Sequence, residues 1–135
     1  QLLIVKRLAQ DLNIEVDICG IPTVREKDGL AMSSRNAYLS EHERALAGKI
    51  NIILSDTANR ISTGGCPAEE LRNAQEQFRS LIQRSPEYLE LCDSQSLNTI
   101  ERVVKPARLL TAIKIGKTRL IDNWPVHPSS NSAIL

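Results

Sequence analysis

Apolar residues recur at helical spacing in the first half of the chain and at alternating spacing near its end. In QLLIVKRLAQDL, residues 1–12, Leu2, Leu3, Val5, Leu8, Ala9 and Leu12 fall largely along one helical stripe, with Lys6, Arg7, Gln10 and Asp11 toward the other side. The pattern opens on Gln1 with no capping residue ahead of it. EVDICGIPTV then reads as a short strand from about Glu15 to Ile21, stopped by Pro22. A helix that leads through a short turn into such a strand is half of an α/β crossover, and its strand needs parallel neighbours. The remaining pattern supplies none, so those neighbours are expected upstream of Gln1.

A second organisation begins at Ser40. Ser40 with Glu43 forms a capping box, and the helix it opens carries Leu46, Ala47, Ile50, Ile53, Leu54, Ala58 and Ile61 at three- and four-residue steps, ending before Gly64-Gly65. Pro67 suits the first turn of another helix, with Leu71, Ala74, Phe78, Leu81 and Ile82 on one face and Pro86 beyond its end. From Glu87 the period changes. YLELCD, RLLTAIKIG and TRLIDN read as three strands, the last two joined tightly at Gly116-Lys117. Two helices followed by three strands predict an α+β domain with a three-stranded antiparallel sheet. The ending VHPSSNSAIL, rich in Pro, Ser and Asn, reads as linker.

Composition narrows the possibilities. With one Phe, one Trp and two Tyr in 135 residues, the core has to be aliphatic. Seventeen basic against sixteen acidic residues leave no basic excess of the kind a nucleic-acid binder shows. No apolar run approaches the ~18 residues that span a bilayer, and no secretory leader is visible. Membrane and nucleic-acid partners are therefore not expected. Cys19, Cys66 and Cys92 form no CxxC and have no paired histidines, which argues for reduced thiols in a cytoplasmic protein and against a metal site.

Between the two organisations lies DGLAMSSRNAYLS, residues 28–40. Ser33 and Ser34 offer hydroxyl and backbone donors, and Arg35 adds a permanently charged fork of N–H groups. That combination suits the oxygens of a polyphosphate, and an arginine is well adapted to charge developing on a transferring or leaving phosphate. Gly29 permits a backbone excursion fit for a mobile loop. The plainer alternative is a helix-entry loop whose Ser and Asn only satisfy nearby backbone groups. Position favours the first: the loop lies beyond the carboxyl end of the expected parallel strand, where open α/β sheets bind ligands.

IPTVREKDGLAMSSRNAYLS, residues 21–40, closely resembles the signature of the pantothenate synthetase (pantoate–β-alanine ligase) family, and the resemblance continues in YLEL at 88–91 and GKTRLIDN at 116–123. It implies an enzyme that joins pantoate to β-alanine using ATP and magnesium, through a bound pantoyl adenylate, on a Rossmann-like nucleotidyltransferase fold related to class I aminoacyl-tRNA synthetases. Met32, Ser33, Ser34 and Arg35 then stand at a KMSKS-like loop that embraces the ATP phosphates. The backbone of Val24 meets the adenine, and Gln1 matches the last glutamine of the family's KDYQQ segment, which holds pantoate. Residues 1–24 become the end of a truncated nucleotide-binding domain, 25–124 a C-terminal lid with a hinge near Pro22 to Glu26, and 125–135 a linker. In some cyanobacterial relatives a cytidylate kinase follows.

The family's HIGH-type histidine motif is absent, and neither His42 nor His127 falls at a matching position. The resemblance accordingly implies that this chain alone is inactive, that it needs the N-terminal domain of the same enzyme, and that the whole enzyme is a homodimer held mainly through that domain. The alternative is a stand-alone nucleotide-binding or interaction module, against which the unpaired first helix and strand argue.

Overall fold

The computed structural model describes residues 1–129. Helix α1 (Leu2–Asp11) is followed by α2 (Glu41–Ala47), α3 (Lys49–Ser62), α4 (Pro67–Gln77) and strands β1 (Tyr88–Asp93), β2 (Ala107–Ile115) and β3 (Thr118–Val126). The strands form one antiparallel sheet with β2 in the centre. Helices followed by a three-stranded antiparallel sheet are the architecture expected.

Local rules account for most boundaries. Ser40 and Glu43 make both halves of the capping box, Ser40 Oγ accepting from Glu43 N and Glu43 Oε2 accepting from Ser40 N. On α3, Ile50, Ile53, Leu54, Thr57, Ala58 and Ile61 are buried, a stripe at helical spacing that faces β3 and α4. Thr57 is admitted there because its hydroxyl donates to the Ile53 carbonyl. Pro67 opens α4 from its first turn. Leu89 and Leu91 of β1, and Leu109, Ile113 and Ile115 of β2, complete a core with Phe78 as its largest side chain.

Four features depart from the sequence pattern. The helix expected after Ser40 is broken at Gly48 into α2 and α3. A Cβ at Gly48 would stand 2.6 Å from Asp28 Oδ2, so the break sits where the chain before α2 presses against it. The helix begun at Pro67 widens into a π turn over Phe78–Ile82, closed by Gln83 at φ 59°. Phe78 and Ile82 thus enter the core while Leu81 faces solvent. Residues 15–21 belong to no strand, because a strand exists through its ladder and the described residues offer this segment no partner. Lastly, β3 continues through Pro125 and Val126, which were expected to begin the tail; residues 130–135 of that tail lie outside the described residues.

Helix α1 forms as expected, but its stripe is not buried. Only Ala9 is enclosed, while Ile4, Leu8 and Leu12 are more than half exposed. No residue of α1 belongs to the hydrophobic core.

Candidate functional site

Residues 24–32 fold back on themselves as a short hairpin. Met32 N donates to the Val24 carbonyl at 2.9 Å, Glu26 N to the Leu30 carbonyl at 2.8 Å and Gly29 N to the Glu26 carbonyl at 2.9 Å, with Arg25 opposite Ala31. Gly29 turns the hairpin at φ +88°, and a Cβ there would lie 2.2 Å from Asn51 Nδ2 of α3. Only glycine fits both the conformation and the space.

Three anchors hold this hairpin to the helices and sheet. Leu30 inserts into the core. Asp28 at the tip takes both terminal nitrogens of Arg44 from α2. At the base, Arg25 Nη1 donates to Asp122 Oδ2 (2.8 Å) and to the Gly29 carbonyl (2.9 Å), and Nη2 to Asp122 Oδ1 (2.9 Å) and to the Asn123 carbonyl (3.2 Å). Its guanidinium also lies 4.6 Å from the centre of the Trp124 ring.

The Arg25–Asp122 pair was not anticipated from the sequence, although a signal was present. In β3, Thr118, Leu120, Asp122 and Val126 alternate on the buried side. A carboxylate in an inward row requires a cation or several donors. GKTRLIDN shows that register without revealing that the partner stands 97 residues earlier.

The Arg44 hydrogen bond holds the Asp28 carboxyl below the usual carboxylate range, with a backbone bond from Leu30 assisting and partial burial opposing. A depressed folded-state pKa contributes stability above the unfolded value, roughly pH 4, that is lost as pH falls through the folded one. Both side chains are about a third or more exposed. Replacing Asp28 with Asn is therefore expected to cost about 0.2–1 kcal/mol at neutral pH. The difference in melting temperature from the unaltered protein should narrow as pH falls below about 4; a gap that stays equally wide on acidification would contradict the ion pair.

The serine loop is suspended from the hairpin. Ser33 is extended (φ −154°, ψ 142°) and caps a 3₁₀ turn, Ser34–Tyr38, its Oγ accepting from Arg35 N at 3.2 Å. Asn36 N donates to the Ser33 carbonyl, and Asn36 Nδ2 to the Ala31 carbonyl. The turn rests on β3. Ser33 and Asn36 thus do serve local backbone groups. Ser34 and Arg35 are different: both are exposed, and among the described residues neither the Ser34 hydroxyl nor the Arg35 guanidinium has a hydrogen-bond or ion-pair partner. Val24 and Met32, joined by the hydrogen bond at the hairpin's open end, are exposed beside them.

Val24, Met32, Ser33, Ser34 and Arg35 therefore lie together on one exposed edge. Gln1 begins α1, where its carbonyl accepts from Val5 N, and no hydrogen bond among the described residues links it to the loop. His42 and His127 are exposed, on α2 and just beyond β3. An open groove lined by Arg60, Glu70 and Gln77 between α3 and α4 contains none of these residues. No group of three or more His, Cys, Asp or Glu among the described residues is placed to hold a metal ion. No described helix is long and apolar enough to cross a membrane.

The whole stretch from Gln1 to Pro125, hairpin and serine loop included, matches the pantoate-beta-alanine ligase family. The chain belongs to that family. Pantothenate synthetase from Rhizorhabdus wittichii is 43% identical over 129 residues, 96% of this chain and 46% of the relative; that from Aquifex aeolicus is 43% identical over 132 residues, 94% and 45%. Among solved structures, pantothenate synthetase from Thermus thermophilus superposes with a TM-score of 0.87 at 38% identity, covering 94% of this chain and 46% of that one. Pantoate-beta-alanine ligase from Francisella tularensis, solved in complex with beta-gamma ATP and beta-alanine, gives a TM-score of 0.62 at 30% identity, covering 92% and 39%. The chain spans about half the length of the curated relatives it matches.

Proposed function

We infer that this chain is the C-terminal half of an ATP-dependent ligase that joins pantoate to β-alanine, and that its exposed loop holds the nucleotide phosphates. The observation that carries the reading is Arg35: a guanidinium with no partner among the described residues, on a turn that Ser33 and Asn36 hold in place on either side. In the reaction, a pantoate carboxylate oxygen attacks the α-phosphorus of ATP and pyrophosphate leaves. The β-alanine amine then displaces AMP from the pantoyl adenylate. Arg35 and the Ser34 hydroxyl stabilise the charge that gathers on the departing phosphates. The Val24 backbone meets the adenine, Met32 and Ser33 shape the loop around the phosphates, and Gln1 contributes to the pantoate site. Magnesium comes with the nucleotide.

Residues 1–24 complete the nucleotide-binding domain of the missing half, and the body from Arg25 closes over the site as a lid. The bonds that tie Arg25 and Glu26 to the body and within the hairpin support a hinge toward the Pro22 end of the 22–26 segment. The whole enzyme is cytoplasmic and homodimeric. A cytidylate kinase beyond the tail belongs to the same proposal, and the reading frame downstream of Leu135 tests it.

The alternative, a loop that only shapes a turn, draws on the Ser33 cap and the Asn36 bond, in which the Arg35 side chain has no part. The two are separated in the full-length protein by comparing Arg35→Ala with Ser34→Ala, Ser33 being unsuitable because its loss also uncaps the turn. A charge-assisted contact contributes about 1.5–3 kcal/mol and a neutral hydroxyl about 0.5–1.5. The arginine variant should release pyrophosphate roughly ten- to a hundredfold more slowly, mainly through kcat, and the serine variant about tenfold or less. Normal kcat in Arg35→Ala, with a lowered melting temperature, would refute the phosphate role.

A further inference from the structure

We propose that Arg25 and Asp122 are positioning residues, whose forked pairing fixes the 24–32 hairpin on the sheet and thereby sets where Ser34 and Arg35 meet the nucleotide. The inference rests on the nucleotide reading above and extends it to a pair that does not itself face the phosphates.

The geometry is more elaborate than stability alone requires. The Asp122 side chain is 2% exposed and that of Arg25 18%. Each carboxylate oxygen takes one guanidinium nitrogen, and each of those nitrogens also bonds a backbone carbonyl, one in the hairpin turn and one in β3. One planar cation thus joins hairpin, sheet and the Trp124 ring. A buried ion pair is often no more stabilising than well-packed apolar side chains of the same volume. What the fork adds is direction, since a guanidinium can satisfy these acceptors only in one plane.

The consequences reach the loop by short routes. Arg25 follows Val24, whose carbonyl holds Met32 N, and Met32 leads directly into Ser33, Ser34 and Arg35. The 3₁₀ turn that carries Arg35 packs against β3, the strand that supplies Asp122. Both ends of the phosphate-facing segment are therefore referenced to the same strand. Misplacing catalytic donors by about 1 Å can cost on the order of a hundredfold in rate.

Arg25→Lys keeps the charge and removes the fork; Asp122→Asn keeps the shape and removes the charge. In this chain, amide hydrogen exchange is followed at Glu26, Gly29 and Met32, which donate within the hairpin, and at Leu109 and Ile113 in the central strand. Both variants should accelerate exchange in the hairpin by about tenfold or more and leave the central strand within about twofold. In the full-length protein, kcat for pyrophosphate release should fall by about tenfold or more, with KM for pantoate within about twofold. Unchanged hairpin exchange overturns the proposal, and so does equal acceleration of hairpin and core, which marks a purely structural pair. Faster hairpin exchange with normal kcat also overturns it. In that case Arg35→Ala, measured alongside, shows how far the failure extends: slow turnover in Arg35→Ala leaves the nucleotide reading intact, and normal turnover removes both.

Discussion

Supplied with ATP, magnesium, pantoate and β-alanine, the purified chain should release no pyrophosphate above background. Adenylation needs the carboxylate nucleophile and the α-phosphate held in line, with charge stabilised on both sides of the transferring group. In the proposed reading Ser34 and Arg35 serve only the leaving phosphates, while the histidines stand elsewhere and, among the described residues, Gln1 has no hydrogen bond to the loop. The first helix gives the same answer from packing. Ile4, Leu8 and Leu12 are 68%, 54% and 62% exposed, and Ile21, in the segment whose pattern suggested a strand, is 84% exposed. Burying such a side chain yields about 1.5–3 kcal/mol, a gain this chain leaves unrealised. Adding a separately prepared N-terminal half of the enzyme should restore measurable turnover as that face becomes covered. Turnover by the chain alone at the rate of the full-length protein would defeat the half-enzyme reading.

Much of the fold was legible because it is decided locally. The Ser40–Glu43 box, the α3 stripe and the strand starting at Tyr88 depend on residues a few positions apart. What was not legible is set by distant neighbours. At the break, Gly48 leaves room for the hairpin carboxylate of Asp28, 20 positions earlier, a contact no local pattern announces. The unpaired segment 15–21 shows the same dependence from the other side: its residue types suit a strand, but no ladder partner is present among the described residues. The site divides likewise. Ser33-Ser34-Arg35 stood out by residue type and by resemblance, and the capping role of Ser33 follows from the ordinary habits of serine at a turn. Arg25 carried no local mark, since its partner is brought to it only when β3 folds against the hairpin.

The π turn after α4 provides the sharpest test of packing. A regular helix would keep Leu81 and Ile82 on the same apolar face as Phe78, as the spacing suggests. Widening the turn leaves Phe78 and Ile82 at 0% and 1% exposure and Leu81 at 44%. Phe78→Ala should therefore cost about 3–5 kcal/mol and Ile82→Ala about 2–5, through lost transfer energy and the cavity left behind. Leu81→Ala, which opens no cavity, should stay within about 1 kcal/mol. Against a total stability on the order of 5–15 kcal/mol, the phenylalanine variant loses a large fraction and should melt at least about 10 °C lower. Lys49 adds a local brace, donating its ammonium to the Leu81 carbonyl that the wider turn exposes at the helix end. Denaturant and thermal melts of the three variants decide the matter. Equal losses for Leu81→Ala and Ile82→Ala would mean that the segment continues as an ordinary α-helix in solution, and the register of the core beneath the sheet would have to be redrawn.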